Sequence, residues 1–194
     1  MKEVLINHNK GQRPEIKLTI RRVEASVWYS LGFHKHHYLV EEINPSCKCF
    51  LFEWNDQPVA FAALLNTPRR GVAYGMSISR IVVLPDFQGL GLSRQICNFC
   101  GGIIKSMATE EHGYELYIKL AHEKLGEALN RDVANWEGTS FDGKTRNPKA
   151  FDTERYANRL TRKPYCKKYI GKRINGYEDL LLPIKDMREN KKHN

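Results

Sequence analysis

The run Ser79-Arg80-Ile81-Val82-Val83-Leu84-Pro85-Asp86-Phe87-Gln88-Gly89-Leu90-Gly91-Leu92-Ser93 reads as a buried strand, a proline stop, a short glycine-bearing loop and the first turn of a helix. Pro85 ends the strand because it has no N–H to give to a ladder. A helix that starts straight after such a loop leaves its first N–H groups unpaired at the positive end of the helix dipole, where an anion is held well. Gly89 and Gly91 let the backbone approach a phosphate closely and take positive φ where the turn needs it.

The same logic extends outward. Before the run, Cys47–Trp54 and Pro58–Leu65 read as two strands joined at Asn55-Asp56, a hairpin signal, and Ser77–Leu84 is the most strand-like segment. After it, Leu92, Ile96, Phe99, Cys100, Ile103, Ile104 and Met107 fall on one helical face, predicting an amphipathic helix that reaches about Glu110. Tyr114–Leu120 follows as a strand with Leu116, Ile118 and Leu120 on one side, then a short helix over Glu123–Asn130, then a strand over Tyr165–Ile170. Near the start, Met1–Pro14 is polar and reads as a loosely held arm. Ile16, Leu18 and Ile20 alternate as in a strand, Val23–Leu31 reads as a short helix ended by Gly32, and Leu39–Ile43 as a helical turn stopped by Asn44-Pro45. The expectation is a mixed α/β (α+β) domain with no internal repeat.

Two rival phosphate loops fail on spacing. No Gly-Lys-Ser/Thr follows the glycines, so the loop is not that of a nucleoside-triphosphate site, and it lies mid-chain without the three-glycine spacing of a dinucleotide fold. The hydrophobic strand, Leu84-Pro85-Asp86-Phe87, and Gln88-Gly89-x-Gly91-x-small opening a helix resemble the acyl-CoA motif of the GNAT acyltransferase superfamily. Ser93 stands where Gly or Ala is usual. The resemblance runs from about Ile16 to Asn130. It implies a mixed, mostly antiparallel sheet with helices on both faces and a V-shaped splay between the central strands. It also implies acetyl-CoA or another acyl-CoA as donor and direct attack by an amine. In that picture Ile81, Val82 and Val83 pair with the pantetheine arm, and Gln88, Gly89, Leu90, Gly91, Leu92 and Ser93 hold the pyrophosphate.

Catalytic side chains are less legible. Family members often carry a tyrosine on the helix after the fifth strand, and residues 121–130 contain none. His122 is a candidate proton donor, as histidine is the side chain best suited to proton transfer near neutral pH, and a plain helix-start residue is the rival reading. His34, His36 and His37 precede the hairpin where the family builds its substrate-facing lid, which makes His37 (or His36) a candidate contact or base; a surface histidine cluster is the alternative. Adjacent histidines with Cys47 and Cys49 do not have metal-ligand spacing, so no metal is expected. Cys97-Asn98-Phe99-Cys100 lies inside the motif helix and reads as core packing. Trp28, Trp54 and Trp136 read as core or rim aromatics.

The 194 residues carry 31 Lys/Arg against 22 Asp/Glu, a net +9. Residues 1–130 supply +2 of this and residues 131–194 the other +7; within Lys144–Arg173 there are 11 basic and 2 acidic residues. Cations interleaved with Phe151, Tyr156, Tyr165 and Tyr169 suit a DNA or RNA surface, with Arg162, Lys163, Lys167 and Lys168 as the candidate contacts, against a merely solubilising face. Five cysteines do not imply a disulfide framework, and no apolar stretch approaches the roughly 20 residues of a membrane span, so a cytoplasmic protein without membrane contact is expected. The expected domains are an arm over 1–14, one domain over 15–173 and a basic tail over 174–194.

His36-His37-Tyr38-Leu39, His122 with Trp136, and Arg162 to Gly171 also resemble GNAT-like domains of phage and mobile-element proteins. These include ABC-ATPase-fused and Mom-type DNA-modification domains. Three functions therefore compete: an N-acyltransferase for a small amine or a protein, a nucleic-acid-modifying enzyme on the same fold, and a non-catalytic CoA- or nucleic-acid-binding module.

Overall fold

The structure, a computed structural model, describes residues 1–6, 16–37, 42–68, 72, 74–144 and 164–183. Its centre is the hairpin of β3 (Lys48–Trp54) and β4 (Gln57–Asn66). Asn55 and Asp56 both take positive φ, 48° and 61°, which matches the twist of a two-residue hairpin turn. Six further strands extend this pair: β1 (Lys2–Ile6), β2 (Ile16–Val23), β5 (Tyr74–Val83), β6 (Tyr114–Leu120), β7 (Trp136–Gly138) and β8 (Tyr165–Tyr169). The sheet runs β1-β2-β3-β4-β5-β6-β8-β7 and is antiparallel throughout except for the parallel pair β5–β6. That one parallel pair needs a crossover, and α2 (Leu92–Ser106) supplies it.

Alternation along the strands divides the core between the two faces. On one face α2 packs Leu92, Ile96, Phe99 and Ile103 against Leu18, Phe52, Ile78 and Leu116, and α3 (Glu123–Arg131) adds Leu129. On the other, the single turn α1 (Val27–Ser30) and the 3₁₀ turn Phe33–His36 press Trp28 and Phe33 onto Phe61, with ring centroids 5.2 and 5.4 Å apart. Trp28, Phe33 and Phe61 are fully buried; each contributes about 1.5–3 kcal/mol, more than an exposed ion pair such as Arg21–Glu53. Cys97 and Cys100 are buried with no disulfide, and burial raises both thiol pKa values, that of Cys100 to about 12. They are core residues.

Several boundaries differ from expectation. Residues 2–6 are not an arm: they form edge strand β1, with Val4 buried and opposite Leu18. The helix expected over Val23–Leu31 is one turn, because Val23 still belongs to β2 and pairs with Cys49. Helix α2 stops at Ser106, four residues short of Glu110. The basic tail does not begin at residue 174. Ile174 N–H donates to the Gly102 carbonyl (3.1 Å), Tyr177 O–H to the Glu3 carbonyl (2.6 Å), Lys48 Nζ to the Leu181 carbonyl (2.7 Å), and Leu180 and Leu181 are buried in the α2-side core. A 3₁₀ turn over Glu178–Leu181 is too short to leave a periodic signal among charged neighbours. Strand β7 was likewise not expected. The turn expected over Leu39–Ile43 lies largely outside the described residues.

Candidate functional site

β5 and β6 run in register from Tyr74↔Tyr114 to Ile78↔Ile118 and then part. Beyond the fork β6 pairs, among the described residues, with β8 alone, through Lys119↔Cys166 and Leu120↔Tyr165. β5 keeps β4 on one side, with a bulge that leaves Ser79 without a partner between Ala63↔Arg80 and Leu64↔Ile78. Its other edge has no strand partner among the described residues from Ser79 to Val83. This is the V-shaped splay that the resemblance implies.

The hydrogen-bond phase of that edge follows from one contact. Leu84 N–H donates to the Val59 carbonyl at 2.9 Å, so Val83, opposite Ala60, turns its amide groups away from β4. Alternation then gives the open edge to Ile81 and Val83 and returns Val82 to β4, opposite Phe61. Of the three residues expected to pair with the pantetheine arm, Ile81 and Val83 turn their main-chain groups to this edge and Val82 does not. The Val83 carbonyl already accepts from Gln88 Nε2 at 3.0 Å, which ties the loop to the strand.

The loop does what its glycines predict. Gly89 (φ 80°) and Gly91 (φ 74°) are both left-handed, and Gly91 is the cap residue of α2. Among the described residues no side chain caps that end, so the N–H groups of the first turn of this 15-residue helix have no side-chain acceptor there. Gln88, Gly89, Gly91, Leu92 and Ser93 all line one cleft of about 490 Å³; Leu90 does not, and packs against the core instead.

The same cleft collects residues far apart in sequence: His36 and His37 from the turn after α1, Arg80 to Val83 from β5, Arg94 from α2, Lys119 from β6, and His122 and Lys124 from the start of α3. His122 is the cap of α3, with Nδ1 accepting from Leu125 N–H at 3.3 Å. His37 stands edge-on to Trp28 at 5.7 Å, while His34 Nδ1 lies 3.4 Å from the Trp28 carbonyl and does not line the cleft. Among the described residues, four Arg/Lys and three His line the cleft and no Asp or Glu does. No group of three or more His, Cys, Asp or Glu among them is placed to hold a metal.

Sequence reasoning missed the group that fixes Arg94. Arg94 Nη1 lies 2.9 Å from Asp132 Oδ2, which also accepts from Asn98 Nδ2 (2.8 Å), while Asp132 Oδ1 accepts from Asn135 Nδ2 (2.8 Å). Trp136 Nε1 closes the chain by donating to Asn98 Oδ1 (2.6 Å). Burial pulls the Asp132 carboxyl pKa up, but the hydrogen bonds from Asn98, Asn135 and Arg94, with the Arg94 charge, outweigh it and hold the pKa below its usual value. A depressed carboxylate pKa stabilises the fold above the unfolded value and loses that contribution as pH falls through the folded one. Asp132→Asn turns one carboxylate oxygen into a donor that faces either Asn135 Nδ2 or the pair Arg94 Nη1 and Asn98 Nδ2. The expected cost is about 2 kcal/mol near neutral pH, read by denaturant melts, with a smaller cost at the acid end where wild type has lost the same charge.

Two of the four basic candidates lie within the described residues. Lys167 is buried and paired with Asp142, whose other oxygen accepts from Cys166 N–H at 2.8 Å, and Lys168 pairs with Glu115 at 2.8 Å. Both lie on β8 within the sheet, and each has a carboxylate partner within the fold. Arg162 and Lys163 lie outside the described residues. No helix among the described residues is long and apolar enough to cross a membrane.

Comparison with known proteins agrees with this geometry. Residues 18–118 match a family model described as the acetyltransferase (GNAT) family. The fold is similar to that of Arabidopsis thaliana Naa50, solved in complex with the bisubstrate analogue CoA-Ac-MVNAL (14% identity, 78% of this chain and 97% of that one, TM-score 0.53). It is also similar to the ribosomal-protein-S18-alanine N-acetyltransferase from Escherichia coli (14% identity, 82% and 96%, TM-score 0.52). A third likeness is to a chimaeric spermidine N-acetyltransferase from Vibrio cholerae (15% identity, 79% and 94%, TM-score 0.50). No curated protein sequence gives a significant match.

Proposed function

Because this chain belongs to the GNAT acetyltransferase family, we propose that it transfers an acetyl group from acetyl-CoA to an amine by direct attack. The observation that carries the reading is the uncapped start of α2, with Gly89 and Gly91 left-handed, set beside the open edge of β5. Unpaired N–H groups at a helix start match a pyrophosphate, and the free amide groups of Ile81 with the N–H of Val83 match an extended amide-bearing chain.

In the reaction the amine nitrogen forms the new amide bond, the thioester C–S bond breaks, and the thiolate takes a proton. The attacking nitrogen must be neutral. With no Asp or Glu among the described residues that line the cleft, two features favour that form: the cationic field of Arg80 and Lys119, which lowers the pKa of an amine held nearby, and the imidazoles of His37 and His122. In this reading His122 delivers the proton to the leaving sulfur.

Calorimetry with acetyl-CoA and a thiol-release assay test the reading together. The protein is expected to bind acetyl-CoA with Kd well below about 1 mM; no binding overturns the assignment. His122→Ser keeps an oxygen for the α3 cap. It is expected to leave acetyl-CoA affinity unchanged while lowering turnover about 100-fold. Unchanged turnover returns His122 to a purely capping role.

A further inference from the structure

A second cavity, of about 230 Å³, lies beside the fork and shares Ile118 and Lys119 with the main cleft. Ile118 is the last residue of β6 to pair with β5, so the wall common to both cavities is the point where the strands part. The rest of its lining comes from the segment after β7 and from the start of β8: Thr139, Phe141, Lys144, Pro164, Cys166 and Lys167. Lys167 is neutralised by Asp142. Lys119 and Lys144 are exposed and make no ion pair among the described residues. Phe141 is 66% exposed, an apolar ring held at the rim of a cationic cavity.

We propose that this cavity is the acceptor subsite, and that the acceptor is an amine whose scaffold also carries an anionic group, phosphate or carboxylate. The proposal rests on the acyl-transfer reading above, since it is the fork that puts the cavity next to the reacting carbonyl. Two ammonium groups with no carboxylate partner among the described residues attract an anion and oppose a polycation, because a like charge near two lysines costs more than a surface contact returns. The ring of Phe141 offers a face for a flat or apolar scaffold. Lys119 serves both cavities: it steadies the anionic end of the acceptor and keeps the amine end in its neutral form.

Phenyl phosphate and benzoate, as anionic probes with an aromatic body, and benzylamine, as the cationic control, are titrated into protein saturated with CoA. Saturation removes the α2 phosphate site from the measurement. At least one anionic probe is expected to bind, and the comparison of phenyl phosphate with benzoate distinguishes phosphate from carboxylate. Benzylamine is expected to bind at least about tenfold more weakly. Lys119→Ala with Lys144→Ala is expected to weaken the anionic probe by at least about tenfold, and Lys144→Ala alone, which lies outside the main cleft, to leave the Kd for CoA unchanged. Equal or tighter binding of benzylamine, no binding of either anion, or an anion affinity that the double variant does not alter overturns the proposal while the acyl-transfer reading stands. Failure to bind CoA overturns both.

Discussion

Ser93→Asp is expected to lower acetyl-CoA affinity by about 100-fold or more while leaving the thermal midpoint unchanged or slightly raised. Ser93 is the second residue of α2, lines the cleft, and follows a helix cap that offers no side-chain acceptor. A carboxylate in the first turn suits the helix dipole and adds about 0.3–1 kcal/mol to stability. The same carboxylate occupies the N–H groups that a pyrophosphate needs and repels it by about 4 kcal/mol at contact distance near a protein surface. Two decades of affinity correspond to only about 2.8 kcal/mol, so repulsion dominates. The opposite signs of the two effects make the variant informative. Gly91→Asp would also lose affinity, but at φ 74° it strains the backbone by about 1–2 kcal/mol and confounds binding with folding. Calorimetry and a thermal melt on Ser93→Asp separate the two, and unchanged affinity removes the loop from the cofactor site.

Gly101→Ala is expected to destabilise the protein by about 2 kcal/mol, several degrees in midpoint, although alanine is the better helix former. A Cβ at Gly101 would stand 2.3 Å from Cγ of Tyr169, the root of the ring rather than a movable tip. The ring cannot withdraw freely, because Tyr169 O–H donates to the Lys172 carbonyl at 3.0 Å and the ring sits edge-on to Trp136 at 5.3 Å. Overpacking of this kind costs about 1–3 kcal/mol and outweighs a propensity gain of at most about 1. Gly113→Ala is the control, since nothing lies within 4 Å of its added Cβ, and it should melt within about 0.5 kcal/mol of wild type. Equal melting of the two variants would mean that α2 and β8 do not approach as closely as described.

Local signals were legible wherever one short-range force dominated. The hairpin turn at Asn55-Asp56, the amphipathic face of α2 and the strand Tyr114–Leu120 each follow from turn chemistry or periodicity over a few residues. The phosphate loop was legible for the same reason: strand, proline, glycines and helix start are contiguous, so the chain alone dictates that donors converge there. The edge elements were not. β1 is five residues in a polar segment and β7 three residues, and each forms because a neighbouring strand offers unpaired backbone groups. Leu180 and Leu181 sit among charges in the sequence and are core residues only because β2, β3 and α2 leave a hollow beneath them.

Composition fixes how many cations the C-terminal third carries, not which of them are unpaired. Lys167 and Lys168 look like their neighbours in the chain, yet Asp142, in the turn after β7, and Glu115, on β6, pair with them at separations that no local pattern encodes. Lys119 and Lys144, 25 positions apart, face one cavity because β6 and β8 pair beyond the fork. Likewise His37 and His122 share a cleft only because β5 and β6 separate after Ile78 and Ile118. Backbone conformation and helix or strand periodicity act over a few residues and are written in the chain. Charge neutralisation and the assembly of the cleft depend on which distant groups the sheet brings within a few ångströms, and that is set by tertiary packing alone.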